Sequence, residues 1–146
     1  MIEVNIDIEV DFPADEAFAY ISNFENNPEW QGGMVACRFT SEGPLQVGST
    51  YVQEASFLGR PIHSHFEVTA FEPGRLVKAT TTESTFPITF TRWVTAQGSG
   101  ARIQAKIEGD SSGAFRLAEP LMRWMVSRSI NKDYKNLKSI LEAKAR

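Results

Sequence analysis

Hydrophobic and polar residues alternate along most of the chain from Glu3 to Asp110, and short segments rich in Gly or Pro interrupt the alternation. This pattern predicts antiparallel β-strands with one buried face. The clearest strand begins at Ile2, where aliphatic residues alternate with acidic and amide residues as far as Val10. Pro13 and the acidic residues after it predict a short helix, and the segment ENNPEW, residues 25–30, predicts a second.

Turn residues divide the following region into a predicted meander of six strands, the first of which contains Cys37. Because directly opposed residues share a face of a sheet, each turn fixes a register. The predicted turns are Gly59-Arg60, Pro73-Gly74, Ser84-Thr85 and Gly98-Ser99. The predicted pairs across them are, in turn order, Tyr51 with Val68 and Gln53 with Phe66; Val68 with Ala79 and Phe66 with Thr81; Phe90 with Ala79 and Arg92 with Val77; and Val94 with Ile103.

These registers gather the aliphatic and aromatic residues of the strands on one face, which we therefore assign to the core. The polar exceptions on that face are Gln53, Ser64, Thr81, Glu83 and Arg92. An inward guanidinium needs an anionic or hydrogen-bonding partner, so Arg92 is the sharpest candidate for holding a ligand. Two other interpretations stay open: Arg92 pairs with an acid of the protein, or it reaches water at a strand end.

The C-terminal stretch from Ser112 to Lys144 predicts one long amphipathic helix that packs on the sheet. Pro120 predicts an irregular segment from Ala114 to Glu119 and a firm helix from Leu121 to Ala143. The predicted buried stripe contains Leu117, Ala118, Leu121, Met122, Met125, Val126, Ile130, Leu137, Ile140 and Leu141. The predicted solvent face contains Arg116, Arg123, Arg128, Lys132, Asp133, Lys135, Lys138 and Glu142.

Composition narrows the class of protein. The 146 residues, of which 42% are hydrophobic, predict a single domain over residues 1–146 with a sizeable core. The net charge of −3 argues against nucleic-acid binding, which requires a basic face. We expect no membrane span and no signal peptide, and hence a cytoplasmic protein. The single Cys37 excludes an internal disulfide and a cysteine-based zinc cluster.

The order of strand, two short helices, meander and long helix resembles the START-like, or SRPBCC, superfamily, which includes polyketide cyclases and dehydrases. The local marks are a first strand running into Pro13, AFAYISNFENNPEW ending at Trp30, VGSTY at Val47 to Tyr51, FEVTAFEPGR at Phe66 to Arg75, and GSGARI at Gly98 to Ile103. The resemblance implies an α+β helix-grip fold, in which a seven-stranded antiparallel sheet curls around the C-terminal helix and leaves an apolar cavity. It implies no catalytic residue, because the superfamily shares none.

We predict a cavity between the sheet and the long helix, with Arg92 as its polar anchor. Large apolar side chains supply burial, and a few polar groups supply orientation. The predicted lining is Trp30, Met34, Tyr51, Gln53, Phe57, Phe66, Thr81, Phe90, Arg92, Met122 and Met125. The predicted partner is a hydrophobic small molecule of aromatic, polyketide, quinone or lipid type.

Two functions of different classes stay open: a non-catalytic binder or carrier, and a cyclase- or dehydrase-type enzyme that uses polar groups of the cavity. His63, His65 and Glu67 alternate on the predicted outer face, so we expect no metal site there. The chain has no glycine-rich phosphate loop and no dinucleotide fingerprint, so we expect no cofactor. Trp93 on the outer face is a candidate contact for a homodimer.

Overall fold

The computed structural model describes residues 2–57, 59–109 and 119–145, with the side chains of Phe57 and Glu119 excepted. The chain begins with strand β1, followed by two short helices separated by a 3-10 helix. Six further strands and a long helix complete it. The elements are β1 (Ile2–Val10), α1 (Ala14–Ser22), the 3-10 helix (Phe24–Asn26), α2 (Asn27–Trp30), β2 (Met34–Phe39), β3 (Thr50–Phe57), β4 (Arg60–Glu72), β5 (Leu76–Ser84), β6 (Ile88–Gln97), β7 (Gly100–Gly109) and α3 (Glu119–Lys144).

The strands form one seven-stranded antiparallel sheet in the order β1-β7-β6-β5-β4-β3-β2. The sheet curls around α3, and Leu137 and Leu141 of that helix are fully buried. This arrangement confirms the predicted α+β helix-grip architecture. The aliphatic residues of β1 point to the core as the alternation predicts, and β1 pairs with β7 from Ile2 opposite Gly109 to Val10 opposite Ala101.

The predicted registers of the last three strands are confirmed. Val77 pairs with Arg92 and Ala79 with Phe90, and Val94 pairs with Ile103. The turn between β6 and β7 contains Gly98, whose φ of 62° favours glycine. The register between β6 and β7 therefore follows from turn chemistry.

The predicted register between β3 and β4 is wrong by two residues. Tyr51 pairs with Phe66 and Gln53 with Ser64, because the turn lies one residue earlier in the chain than predicted and Phe57 pairs with Arg60. Gly59, with a φ of 76°, lies inside that turn rather than at its first position. A shift of two residues preserves the face of every side chain, so the inward assignment of β3 survives the error.

Two irregularities between β4 and β5 change one assignment. The register shifts between His65 and Phe66 and again between Val68 and Ala70. The first shift places Glu83 opposite His65, where both side chains are exposed. The prediction that Glu83 points inward is therefore wrong, and the reason is the bulge, which turns the strand beyond it to the other face.

Helix α3 starts earlier than predicted. Glu119 and Pro120 are already helical, although the prediction placed both before the firm helix. The rest of the predicted irregular segment, residues 114–118, lies outside the described residues. Leu121 is 61% exposed, which contradicts its assignment to the buried stripe. Within the described part of α3, the buried residues begin with Met122 and continue with Tyr134, Leu137 and Leu141.

Candidate functional site

A cavity of about 210 Å³, partly open to solvent, lies between the inner face of the sheet and α3. Most of its wall is aliphatic or aromatic, as expected where a curled sheet and a helix do not close completely on each other. The wall is formed by Asn27, Trp30, Gln31, Gly33, Met34, Gln53, Ala55, Ser56, Ile62, Phe66, Phe86, Ile88, Phe90, Arg92, Ile107, Met122, Val126, Ser129, Ile130, Asp133 and Tyr134.

The sheet contributes one charged residue to the described cavity wall, Arg92 of β6. Its position opposite Val77 on one side and Ala105 on the other points it inward, and it is only 5% exposed. The guanidinium Nε donates to the hydroxyl of Tyr134 at 2.9 Å, and a terminal nitrogen donates to the carbonyl of Ile21 at 3.4 Å. Within the described part of the chain no carboxylate lies within 4.0 Å of it. The charge is thus held by neutral partners.

Aromatic rings surround the same guanidinium. Its central carbon lies 4.4 Å from the ring centroid of Phe90, 5.1 Å from that of Trp30 and 6.0 Å from that of Phe24. Aromatic faces attract a cation, and the attraction grows when water is excluded. The rings therefore stabilise the buried charge of Arg92.

Asp133 contributes a carboxyl group from the helix side. Its Oδ1 accepts a hydrogen bond from the backbone N–H of Gly32 at 3.0 Å. Burial raises the pKa of Asp133 from 3.8 to about 6, against the opposing effects of the Gly32 hydrogen bond and the charge of Lys132. The prediction that Asp133 belongs to the solvated face is therefore wrong. Met122, Val126 and Ile130 recur every fourth residue, and Asp133 and Tyr134 continue their stripe.

The structure brings seven of the predicted lining residues to the cavity wall. Their side chains come from the segment after α1, from four strands and from α3. They are Trp30, Met34, Gln53, Phe66, Phe90, Arg92 and Met122. Phe57 belongs to β3, but its side chain lies outside what the structure describes.

Tyr51 does not reach the wall, contrary to the prediction. It is 1% exposed, with the Phe24 ring at 4.4 Å and the Phe66 ring stacked on it at 4.9 Å between centroids. Burial holds the pKa of its phenol well above the usual value. The 3-10 helix supplies Phe24, whose ring packs directly on Tyr51, and Tyr51 is therefore a core residue.

Thr81 and Met125 also lie outside the cavity wall. The hydroxyl of Thr81 accepts a hydrogen bond from the backbone N–H of Ile88 at 3.1 Å, so it serves the connection between β5 and β6. Met125 is half-buried on α3 but is rotated out of the arc that Met122, Val126 and Ile130 define. The prediction for Thr81 failed because facing inward is not sufficient for reaching a cavity, and that for Met125 failed because its position on α3 turns it away from the cavity.

The sequence interpretation missed Asn27 and Tyr134. Asn27 is 2% exposed. It lies in the ENNPEW segment at the start of α2, directly before Pro28, which favours the first turn of a helix. Tyr134, 3% exposed, packs edge-on against Trp30 with ring centroids 5.0 Å apart. An aromatic four residues after Ile130 was the available signal for Tyr134.

The outer face of the sheet carries the remaining polar candidates. His63, His65 and Glu67 are exposed, as predicted. Among the described residues no group of three or more His, Cys, Asp or Glu side chains could hold a metal ion.

Burial raises the pKa of Cys37 to about 12, which keeps its thiol protonated and unreactive. Trp93 is half-buried rather than exposed. No helix in the described ranges is long and apolar enough to cross a membrane.

A curled antiparallel sheet that grips a long C-terminal helix and leaves a largely apolar cavity defines a helix-grip fold. The model of the family described as polyketide cyclase / dehydrase and lipid transport matches residues 1–142, and the chain belongs to that family. No curated protein matches the chain.

Three solved structures show the same fold at low sequence identity. The TTHA0849 protein of Thermus thermophilus is 12% identical, with 99% of each chain covered and a TM-score of 0.84. A START superfamily protein of Mycobacterium smegmatis is 14% identical, with 97% of each chain covered and a TM-score of 0.79. The ZhuI aromatase/cyclase of Streptomyces sp. R1128 is 12% identical over 99% of this chain and 95% of its own, with a TM-score of 0.79.

Proposed function

We propose that this protein binds a compact, ring-containing hydrophobic molecule whose anionic oxygen lies against Arg92. The observation that carries the proposal is the buried guanidinium on the cavity wall, which has no carboxylate partner among the described residues. A buried charge is costly unless it is paired, and a ligand anion supplies the missing pair. The membership of a family that includes lipid transport and polyketide chemistry agrees with such a ligand.

The hydroxyl of Tyr134 strengthens the same subsite. It accepts the hydrogen bond from Arg92 Nε, so its own proton is available to a ligand oxygen. An oxyanion placed beside the pair receives a charge-assisted hydrogen bond from the guanidinium and a neutral one from the phenol. Carboxylates, phenolates and enolates meet this requirement.

The volume of the cavity sets the size of the ligand. An apolar cavity of about 150 Å³ holds benzene, and this cavity of about 210 Å³ is larger and partly open. One ring or two fused rings with small substituents therefore fit. The wall is rich in aromatic and methionine side chains, which suit a flat ring.

The test is calorimetric titration of the protein with 2-naphthoic acid and with its neutral methyl ester. The two probes share rings and shape and differ in the charge that Arg92 would bind. We expect saturable binding of the acid at least tenfold tighter than that of the ester, in line with a charge-assisted hydrogen bond. Equal affinity for acid and ester contradicts the proposed role of Arg92, and no binding of either contradicts the proposed ligand class.

A second candidate, a cyclase- or dehydrase-type enzyme, is favoured by one specific observation. Asp133, with a pKa raised to about 6, lies on the same wall as Arg92 and Tyr134. A carboxylate that accepts a proton, together with donors for the developing enolate oxygen, is the minimum set for an aldol-type ring closure. Turnover of a linear poly-β-ketone thioester by the wild type, lost in Asp133→Asn, supports this candidate; binding without turnover supports the carrier.

A further inference from the structure

Resting on the proposed binding function, we propose that Asp133 is a specificity-determining residue that selects ligands with a hydroxyl group in addition to the anionic end at Arg92. The cavity would then prefer hydroxylated aromatic acids or polyphenols to plain aromatic acids, and would disfavour molecules with a second anionic group. This preference concerns the identity of the ligand and does not require catalysis.

The hydrogen bonding of Asp133 leaves one oxygen for a ligand. Oδ1 accepts from the Gly32 backbone, which fixes the orientation of the carboxyl group. No described residue donates to Oδ2 or forms an ion pair with Asp133. Oδ2 is not fully enclosed by protein atoms, so a ligand can reach it. A ligand hydroxyl can therefore donate to it.

The distribution of charge around the cavity supports the same inference. Arg92 on β6 and Asp133 on α3 are the charged residues of the described wall. From the neighbouring elements, Lys132 is exposed beside Asp133, and Glu29 of α2 accepts a hydrogen bond from Tyr20 at 2.5 Å. The wall thus offers one cation and one carboxyl group. A ligand with one anionic end and one hydroxyl satisfies both, whereas a dianion would bring negative charge to Asp133.

The ionisation of Asp133 fits this role. Because the pKa is about 6, the carboxyl group is mostly ionised at pH 7.5, and a hydroxyl donor then makes a charge-assisted hydrogen bond. Burial that raises a pKa without an ion pair leaves a charge that is poorly solvated, so a ligand donor gains more there than on the surface.

The experiment titrates wild type, Asp133→Asn and Asp133→Ala at pH 7.5 with three kinds of probe. These are 2-naphthoic acid, a set of its monohydroxylated positional isomers, and 2,6-naphthalenedicarboxylic acid. Glu67→Gln, an exposed acid on the outer face, is the matched control for charge removal. Circular dichroism checks the fold of each variant. We expect at least one hydroxylated isomer to bind wild type about tenfold more tightly than the parent acid.

In Asp133→Ala that advantage should disappear, and the dicarboxylate should bind better than it binds wild type, while the control behaves as wild type. In Asp133→Asn the penalty for the dicarboxylate should also disappear, because the charge is gone. If the hydroxyl advantage is absent from wild type or persists in Asp133→Ala, the inference is wrong, yet binding of the parent acid would leave the proposed function intact. If wild type binds none of the probes, both fail.

Discussion

Arg92 and Tyr134 are joined by a hydrogen bond of 2.9 Å from the guanidinium Nε to the phenol oxygen. The bond links the sheet to the C-terminal helix across the wall of the cavity, and both residues are at least nine-tenths buried. It holds the guanidinium in place without neutralising it. The proposed anion subsite depends on this neutral support, because a protein carboxylate in the same position would compete with a ligand.

Replacing Tyr134 with Phe should destabilise the fold and weaken binding of an aromatic acid. The ring is kept, but Arg92 Nε loses its acceptor, and an unsatisfied buried donor costs about 1–3 kcal/mol. Urea unfolding measures the loss. In the double variant with Arg92→Met the two losses should be less than additive, since the donor is also removed. Strict additivity would show that the bond contributes nothing of its own.

Asp133→Asn should make the protein more stable at neutral pH. The native pKa of about 6 is above the ordinary value of 3.8, so the folded state binds a proton that the unfolded state has released. Stability is therefore lost as pH rises from about 4 to 6, and the neutral amide avoids this loss. With solvent screening the gain is about 1 kcal/mol at pH 7.5. Denaturant unfolding should show the two proteins converging below pH 4; a constant difference would contradict the assignment.

Tyr51→Phe should leave ligand affinity unchanged and preserve or raise stability. The hydroxyl of Tyr51 is enclosed and has no hydrogen-bond partner in the structure. Burying an unpartnered hydroxyl costs about 1–3 kcal/mol, so its removal returns part of that cost. Thermal unfolding and titration with 2-naphthoic acid test both parts. A clear loss of affinity would return Tyr51 to the cavity wall, where the sequence interpretation placed it.

Met122 and Met125 form a matched pair on α3. Met122 is 4% exposed and lines the cavity, whereas Met125 is half-buried outside it. Met122→Ala should cost about 2 kcal/mol of stability and change the affinity for a two-ring acid. Met125→Ala should leave that affinity as it is. Equal effects of the two substitutions on binding would contradict the described boundary of the cavity.

The fold and the inward position of Arg92 could be predicted because both depend on local rules. Strand alternation identifies the buried face, and the turns that precede and follow β6 fix its register. The register error of two residues between β3 and β4 did not change which side chains point inward, because a shift of two residues keeps each side chain on the same face of the sheet. A one-residue bulge did change the face of Glu83, and bulges leave no reliable trace in a single sequence.

The cavity wall was less predictable than the fold because it depends on which inward side chains other residues cover. Tyr51 points inward but is covered by Phe24 from a different element. Asp133 was assigned to solvent because a charged residue usually marks the solvated face of a helix. Its position within the apolar stripe of α3 was the contrary signal, and helical periodicity should have outweighed charge.

The most direct test of the account is the titration of wild type and Arg92→Met with 2-naphthoic acid and its methyl ester. Arg75→Met, an exposed arginine paired with Glu72, is the control. Methionine keeps much of the packing and removes the charge, so the acid should bind Arg92→Met with about 1.5–3 kcal/mol less free energy, while the ester should bind both proteins alike. Unchanged affinity of folded Arg92→Met for the acid would contradict the central claim that Arg92 holds an anionic ligand.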